Sequence, residues 1–188
     1  IRAIQAVEQA IAEGRRELLL AMATGTGKTK TAIALIYRLL RAQRFSRVLF
    51  LVDRETLGTQ AGKDFGTVKL TGATTFAETF NLTGLGEGPI EDATSVHIAT
   101  VQSLVRRVTA GQEQVDTYDL IVVDEAYRGY TLDKELGEAE LGWRSEQDYV
   151  SKYRQVLEYF DAVKIALTAT PALHYHPDFR AAGVLVHL

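Results

Sequence analysis

Residues 18–36 place an apolar run, a loop of glycine and threonine, and a Lys-Thr pair in direct succession, LLLAMATGTGKTKTAIALI. The apolar run suits a buried strand, and the residues after Lys28 have the apolar spacing of a helix. Gly25 and Gly27 allow a tight turn whose successive N–H groups point toward an anion. The N-terminus of the helix adds its dipole and its unbonded N–H groups. This order of elements predicts a binding site for a nucleoside triphosphate.

The side chains of this phosphate loop (residues 22–29) have the chemistry that a bound triphosphate needs. Lys28 can reach the β- and γ-phosphates, and the hydroxyl of Thr29 can ligate Mg²⁺. A strict form of the motif has glycine where this chain has Met22, and a flexible loop that happens to contain Gly-Lys-Thr is the alternative. The predicted nucleotide-binding residues are Thr24, Gly25, Thr26, Gly27, Lys28 and Thr29.

A second segment, DLIVVDE at residues 119–125, ends in two adjacent carboxylates. Its apolar residues suit a buried parallel strand. At the carboxyl edge of a sheet, Asp124 would face the phosphate loop and hold Mg²⁺. Glu125 would polarise the attacking water as general base, with Lys28 as the third predicted catalytic residue. The alternative is that the two acids only cap a following helix.

A third segment, LTATP at residues 167–171, follows another apolar run. The hydroxyls of Thr168 and Thr170 would lie beside the carboxylates of the neighbouring strand, where they could sense the state of the γ-phosphate. These two residues are therefore predicted to couple nucleotide state to the rest of the molecule. The alternative is an ordinary Ser/Thr turn before Pro171.

Strand-like and helical segments alternate along the 188 residues, of which 46% are hydrophobic. This pattern predicts one α/β domain of three layers, with a parallel sheet and helices on both faces. We expect strands at 17–22, 47–53, 68–70, 96–100, 120–124 and 163–167. We expect helices at 4–11, 28–43, from 53 to about 65, 75–80, 101–110 and 149–160.

Composition excludes several classes of function. The net charge of −3 gives no general attraction to nucleic acid, so DNA contacts would have to be local. The absence of cysteine excludes disulfides and thiolate metal sites and is typical of a cytoplasmic protein, and no apolar stretch is long enough to span a bilayer. Local basic residues are open to two interpretations, a solvated face or a DNA patch: Arg38, Arg41, Arg44, Arg47 and Arg54.

With these three elements in this order, the chain resembles the first RecA-like motor domain of superfamily-two helicases and translocases, which is a P-loop NTPase fold. Within that group it is most similar to the restriction (R) subunit of type I restriction–modification enzymes. The similar segments are MATGTGKT at 22–29, LVDR at 51–54, DEAYRGY at 124–130, DYVSKYR at 148–154 and FDAVKIALTATPA at 160–172. The resemblance makes residues 1–173 an N-terminal ATP-binding domain and leaves 174–188 as a divergent or truncated tail.

The resemblance implies an ATP- and Mg-dependent motor that hydrolyses ATP to drive DNA translocation, with DNA cleavage by parts outside this chain. Double-stranded DNA would be contacted through its backbone, and the candidate residues are Arg54, Thr100 and Gln102. The implied partners are the specificity and methylation subunits of a restriction–modification complex.

Three departures from the family pattern shape these expectations. Tyr127 stands where the family usually has histidine, which bears on coupling. Neither an adenine-reading glutamine segment nor a second RecA-like lobe is found in the chain, so the isolated chain is expected to be nearly inactive. The alternatives are another superfamily-two enzyme, such as a type III restriction or repair helicase, and a non-enzymatic nucleotide-binding remnant.

Overall fold

The computed structural model describes residues 2–23, 25–71, 74–84, 90–124, 154–169 and 184–187. The helices are α1 (Arg2–Ala12), α2 (Lys28–Arg41), α3 (Glu55–Thr67) and α4 (Val101–Thr109), and residues 154–159 form part of a further helix, α5. The strands are β1 (Glu17–Ala21), β2 (Val48–Val52), β3 (Lys69–Thr71), β4 (Thr74–Thr75), β5 (Leu82–Thr83), β6 (Val96–Thr100), β7 (Leu120–Val123), β8 (Val163–Thr168) and β9 (Val184–His187).

A seven-stranded parallel sheet with the order β5-β6-β2-β7-β8-β1-β9 forms the centre of the domain. Strands β3 and β4 form a separate antiparallel pair. Because parallel strands need a crossover between them, helices connect most neighbours and cover the sheet. The predicted α/β class with a parallel sheet is confirmed.

Helices cover both faces of the sheet, which explains why its central strands are unbroken apolar runs. Every residue of β2, β6 and β7 is buried. Along β2 the side chains alternate, so that Phe50 joins the core under α1, α2 and α3. Leu49 and Leu51 join the core under α4 and α5. The sheet is thus the middle of three layers, as its composition predicts.

The expectation of a short helix over residues 75–80 is wrong. Thr75 ends β4, and the carboxylate of Glu78 accepts hydrogen bonds from the Thr75 N–H at 2.6 Å and from its hydroxyl at 3.0 Å. Phe76 is fully buried and its ring lies 4.9 Å from that of Phe65. One anchored aromatic residue and one side-chain cap therefore hold this segment as a turn, and the helical spacing of its sequence is overruled.

Two strands of the seven-stranded sheet lie where the sequence pattern assigned none. Leu82–Thr83 pairs with the start of β6, and Val184–His187 pairs in parallel with β1, from Leu18↔Val184 to Ala21↔His187. Both are short and flank the sheet, where the signal from burial on two faces is weak. The second of them gives β1 a neighbour on each side, because β8 pairs with its other edge.

A polar pair is buried within the core under α4 and α5. The Nδ1 atom of His97, on β6, lies 2.6 Å from the hydroxyl of Tyr118, and both residues are buried. Burial, together with the charge of Arg107, lowers the pKa of His97 from 6.5 to about 4. Burial also raises the pKa of Tyr118. The imidazole is therefore neutral in the folded protein at neutral pH.

We expect His97 to make the fold sensitive to acid. Between about pH 6.5 and about pH 4 the unfolded chain binds a proton that the buried imidazole does not, so the stability that neutral His97 contributes is lost as the pH falls. The loss amounts to at most about 1.4 kcal/mol per pH unit. In urea unfolding, the difference in free energy of unfolding between the wild type and His97→Gln should become smaller as the pH falls from about 6.5 to about 4. A difference that stays constant would contradict the assignment.

Candidate nucleotide-binding site

The phosphate loop has the backbone that its glycines were expected to allow. Gly25 has a φ of +76° and Gly27 a φ of +82°, both in the left-handed region that favours glycine. The Thr26 N–H and hydroxyl both donate to the Ala23 carbonyl, at 3.3 Å and 2.6 Å. Gly27 is the N-cap of α2, so the loop leads straight into the helix N-terminus. A Cβ atom at either glycine would meet open space, which leaves room for an anion.

Lys28 is the first residue of α2 and is 8% exposed, a degree of burial that is uncommon for lysine. Its position in the first turn sets it beside the free N–H groups of the helix N-terminus. A buried ammonium group and a helix N-terminus both favour an anionic ligand. The loop and Lys28 together therefore fit a polyphosphate.

A contact across the sheet joins the phosphate loop to the carboxylate strand. The hydroxyl of Thr29, in the first turn of α2, donates to Oδ2 of Asp124 at 3.3 Å, although 95 positions separate the two residues in the chain. Asp124 follows β7, and its backbone N–H donates to the Leu51 carbonyl of β2 at 3.0 Å. Its backbone is thus fixed by the sheet. A hydroxyl and a carboxylate side by side are the oxygen donors that a Mg²⁺ ion bound to phosphates uses.

Thr168 lies between the two halves of this site. It ends β8, which separates β7 from β1, and it is fully buried. Its carbonyl accepts a hydrogen bond of 2.9 Å from the N–H of Met22, where the phosphate loop leaves β1. Thr168 is therefore placed where a coupling residue was predicted. Thr24, Glu125 and Thr170 lie outside the described residues, so their roles stay predictions.

The candidate DNA contacts lie at the same edge of the sheet. Thr100 ends β6 opposite Val52 of β2, and Arg54 follows β2 as the N-cap of α3. Arg54 Nε lies 3.6 Å from Asp53 Oδ2. Gln102 is half-buried in the first turn of α4. The topology thus brings Arg54, Thr100 and Gln102 to the edge that carries Asp124.

Thr100 also has a role that the sequence analysis missed. Its hydroxyl accepts a hydrogen bond of 3.2 Å from the Ser103 N–H, and the Ser103 hydroxyl oxygen accepts one of 3.2 Å from the Thr100 N–H. This reciprocal pair is a capping box that starts α4. The spacing Thr-x-x-Ser is the signal for it, although serine replaces the usual Glu or Gln.

The basic residues around β2 are held largely by intramolecular partners. Arg38 pairs with Glu8 of α1 at 2.6 Å between Nε and Oε1. Arg41 places its guanidinium 5.7 Å from the ring centre of Tyr37. Arg47 donates to backbone carbonyls in the loop before β6. These contacts favour the interpretation of a solvated, structural face over that of a DNA patch.

Other kinds of site find no support in the part of the chain that the structure describes. Within those residues, no group of three His, Cys, Asp or Glu side chains is arranged to hold a metal ion. None of the described helices is long and apolar enough to span a bilayer.

Comparison with known proteins identifies the family. Residues 1–173 match the family model described as "Type III restriction enzyme, res subunit". The chain belongs to this family. The chain is 59% identical over 174 residues to the type I restriction enzyme EcoKI endonuclease subunit of Escherichia coli K12, which covers 92% of this chain and 15% of that protein. It is 34% identical over 180 residues to the type I restriction enzyme EcoAI endonuclease subunit of Escherichia coli, and the match covers 91% of this chain and 19% of that protein. The chain thus spans less than a fifth of the length of these relatives.

Solved structures at lower identity share the fold of this res-subunit family member. A DEAD box protein from Methanococcus jannaschii matches with a TM-score of 0.66 at 12% identity, covering 98% of this chain and 47% of that one. The SWI2/SNF2 ATPase core of Sulfolobus solfataricus, solved with double-stranded DNA, matches with a TM-score of 0.61 at 16% identity. That match covers 94% of this chain and 33% of that one. The Hef helicase domain of Pyrococcus furiosus matches with a TM-score of 0.58 at 22% identity, covering 95% of this chain and 34% of that one. The RecA-like fold that the resemblance implied is confirmed.

We expect Gly27→Ala to damage the phosphate loop, because an L-residue in the left-handed conformation costs about 1–2 kcal/mol. Gly66→Ala is the matched control, because Gly66 lies in α3 and a Cβ atom there also meets open space. Unlike Gly27, Gly66 does not have a positive φ, so alanine fits its backbone. That substitution should be neutral or stabilise the protein by about 0.4–1 kcal/mol. Urea denaturation of both variants measures the difference. Equal effects would show that the backbone of Gly27 is not constrained in solution.

Proposed function

We propose that this chain is the ATP-binding lobe of a DNA translocase, and that the translocase is the motor of a type I restriction endonuclease R subunit. The observation that carries the proposal is the contact between Thr29 and Asp124. It places a hydroxyl and a carboxylate together at the N-terminus of α2, where a metal-bound triphosphate needs them. The 59% identity to the EcoKI endonuclease subunit supports the type I assignment over a type III or repair enzyme.

The ligand of the site is Mg·ATP, which supplies a phosphoanhydride bond whose hydrolysis releases free energy. The main-chain N–H groups of the phosphate loop cradle the phosphates, and Lys28 neutralises their charge. Thr29 and Asp124 hold the metal ion. Glu125 follows Asp124 directly in sequence and is the proposed general base for the attacking water. An intact pair of metal-binding residues argues against a vestigial phosphate loop.

The DNA partner is contacted at the carboxyl edge of the sheet by Arg54 and Gln102, while Thr100, predicted as a third contact, is buried and caps the helix that carries Gln102. Such side chains contact phosphates and sugars, so binding is independent of base sequence and weakens as salt is added. The proposal assigns recognition of the DNA sequence to the specificity subunit, and the methylation subunit completes the complex. Thr168 and Thr170 relay the state of the nucleotide to this edge.

We expect Mg²⁺-dependent binding of a fluorescent ATP analogue, and we expect Lys28→Ala to weaken it about 10- to 100-fold, as for loss of a charged hydrogen bond. Lys30→Ala removes the same charge two positions later from an exposed site and should bind normally. Asp124→Asn should lose the Mg²⁺ dependence. Its control, Asp116→Asn, changes an exposed carboxylate and should keep it. Normal binding by Lys28→Ala would rule out the proposed phosphate site.

We also expect salt-sensitive binding of short DNA duplexes, with similar affinity for unrelated sequences. Gln102→Ala should weaken binding to every DNA sequence by a similar factor, because it removes a contact to the sugar–phosphate backbone of the DNA. Gln112→Ala removes an equivalent amide from an exposed position just after α4 and should have no effect. Fluorescence anisotropy at low and moderate salt measures both. Equal behaviour of the two variants would place the DNA elsewhere.

A further inference from the structure

A buried ionic group lies on the face of the sheet that carries α4 and α5. Arg107, in the last turn of α4, forms an ion pair with Glu113 of the following loop, and both residues are buried. The nearby pair of His97 and Tyr118 feels both charges, since Arg107 and Glu113 each act on the pKa of Tyr118. The proposed ATP and DNA chemistry uses none of these side chains. We call Arg107, Glu113 and Tyr159 the clasp, because the contacts between them hold α4, the loop after it and α5 together.

Tyr159 joins this ion pair to a different helix. Its hydroxyl donates to the backbone carbonyl of Glu113 at 2.6 Å, and its ring packs edge-on against Phe160 at 5.0 Å. Tyr159 belongs to α5, which leads within a few residues into β8. The loop after α4 is thereby tied to the element that carries Thr168 into the nucleotide site.

The clasp and the capping box fix the two ends of α4. Thr100 and Ser103 define its first turn, and Arg107 anchors its last turn to Glu113. Burying an ion pair costs desolvation free energy that its attraction only partly recovers, so such pairs add little stability. In some proteins such a pair instead specifies one arrangement of the parts that it joins, and we take that as the hypothesis here. Here the ion pair joins the last turn of α4 to the loop that follows it, and the Tyr159 hydroxyl joins that loop to α5.

We infer that Arg107, Glu113 and Tyr159 are positioning residues that pass changes at the nucleotide site from β8 and α5 to α4. This inference rests on the proposed function, since it concerns how the ATP and DNA sides of that site communicate. A second physical route exists through the sheet itself, because Asp124 bonds Leu51 of β2 and Leu51 lies opposite Ala99 of β6. The two routes predict different results when the clasp is opened.

Tyr159→Phe removes the hydroxyl bond of the clasp and leaves the ring, and the bond from the Asp161 N–H to the Val115 carbonyl, in place. Tyr37→Phe is the matched control: its hydroxyl accepts a hydrogen bond from Arg41 at 3.2 Å, and its ring lies edge-on against Phe80 on the opposite face of the sheet. Amide hydrogen exchange of residues 101–109 is measured for each protein with and without Mg²⁺ and a non-hydrolysable ATP analogue. A separate titration measures the binding of that analogue.

In the wild type and in Tyr37→Phe, the analogue should change the exchange of α4 by about fivefold, the equivalent of one hydrogen bond. In Tyr159→Phe the analogue should bind normally, but its effect on α4 should fall below about twofold. A merely structural role would shift exchange equally with and without the analogue and would leave the nucleotide-dependent difference intact.

Failure of the inference and failure of the proposed function give different results. If the wild type does not bind the analogue, the proposed function is wrong. If it binds and the response of α4 is absent in the wild type or unchanged in Tyr159→Phe, the clasp carries no coupling. Should Tyr159→Phe fail to fold, Arg107→Met with Glu113→Leu removes both charges together, which proteins often tolerate. That double variant must then lose the response of α4, and keeping it would overturn the inference.

Discussion

The geometry of the candidate nucleotide site centres on one polar contact, the hydrogen bond of 3.3 Å from the Thr29 hydroxyl to the Asp124 carboxylate. Neither group would lie near the other without the sheet, because they come from segments far apart in the chain. The order of strands sets their spacing: β8 separates β7 from β1, and α2 starts at the end of β1. A carboxylate at the edge of an apolar sheet needs a partner for its charge, and the hydroxyl and the helix N-terminus supply one.

The core is divided between the two faces of the sheet, and the two parts differ in the polar groups that they bury. The face under α1, α2 and α3 is built from aliphatic and aromatic side chains. The other face also carries the buried polar groups of His97, Arg107, Glu113 and Tyr118. Such groups restrict packing more strongly than aliphatic ones, since each needs its partner in place. The more exactly specified face is therefore the one under α4, which begins at the candidate DNA contacts.

Most of the architecture could be predicted because parallel strands that are buried on both faces consist of continuous apolar runs, such as those of β2 and β7. The glycine pattern around Lys28 and the paired acids after β7 likewise predict the candidate site, and the structure brings Thr29 and Asp124 into contact there. The turn at 75–80 was missed because burial of Phe76 overrides local helical spacing. The hydrogen bond between His97 and Tyr118 could not be predicted, since a pairing across the fold leaves no periodic signal.

The placement of β1 inside the sheet has a consequence for the energetics of ligand binding. With β8 on one side and β9 on the other, β1 has hydrogen-bonded neighbours along both edges. At the two ends of the glycine-rich loop that follows, the Met22 N–H is bonded to the Thr168 carbonyl and Gly27 caps α2. A ligand that enters such a loop has little main-chain freedom left to remove. If the loop holds the phosphates of ATP as proposed, affinity is gained from preorganisation, and more of the interaction free energy remains to separate the ATP-bound state from the product-bound state.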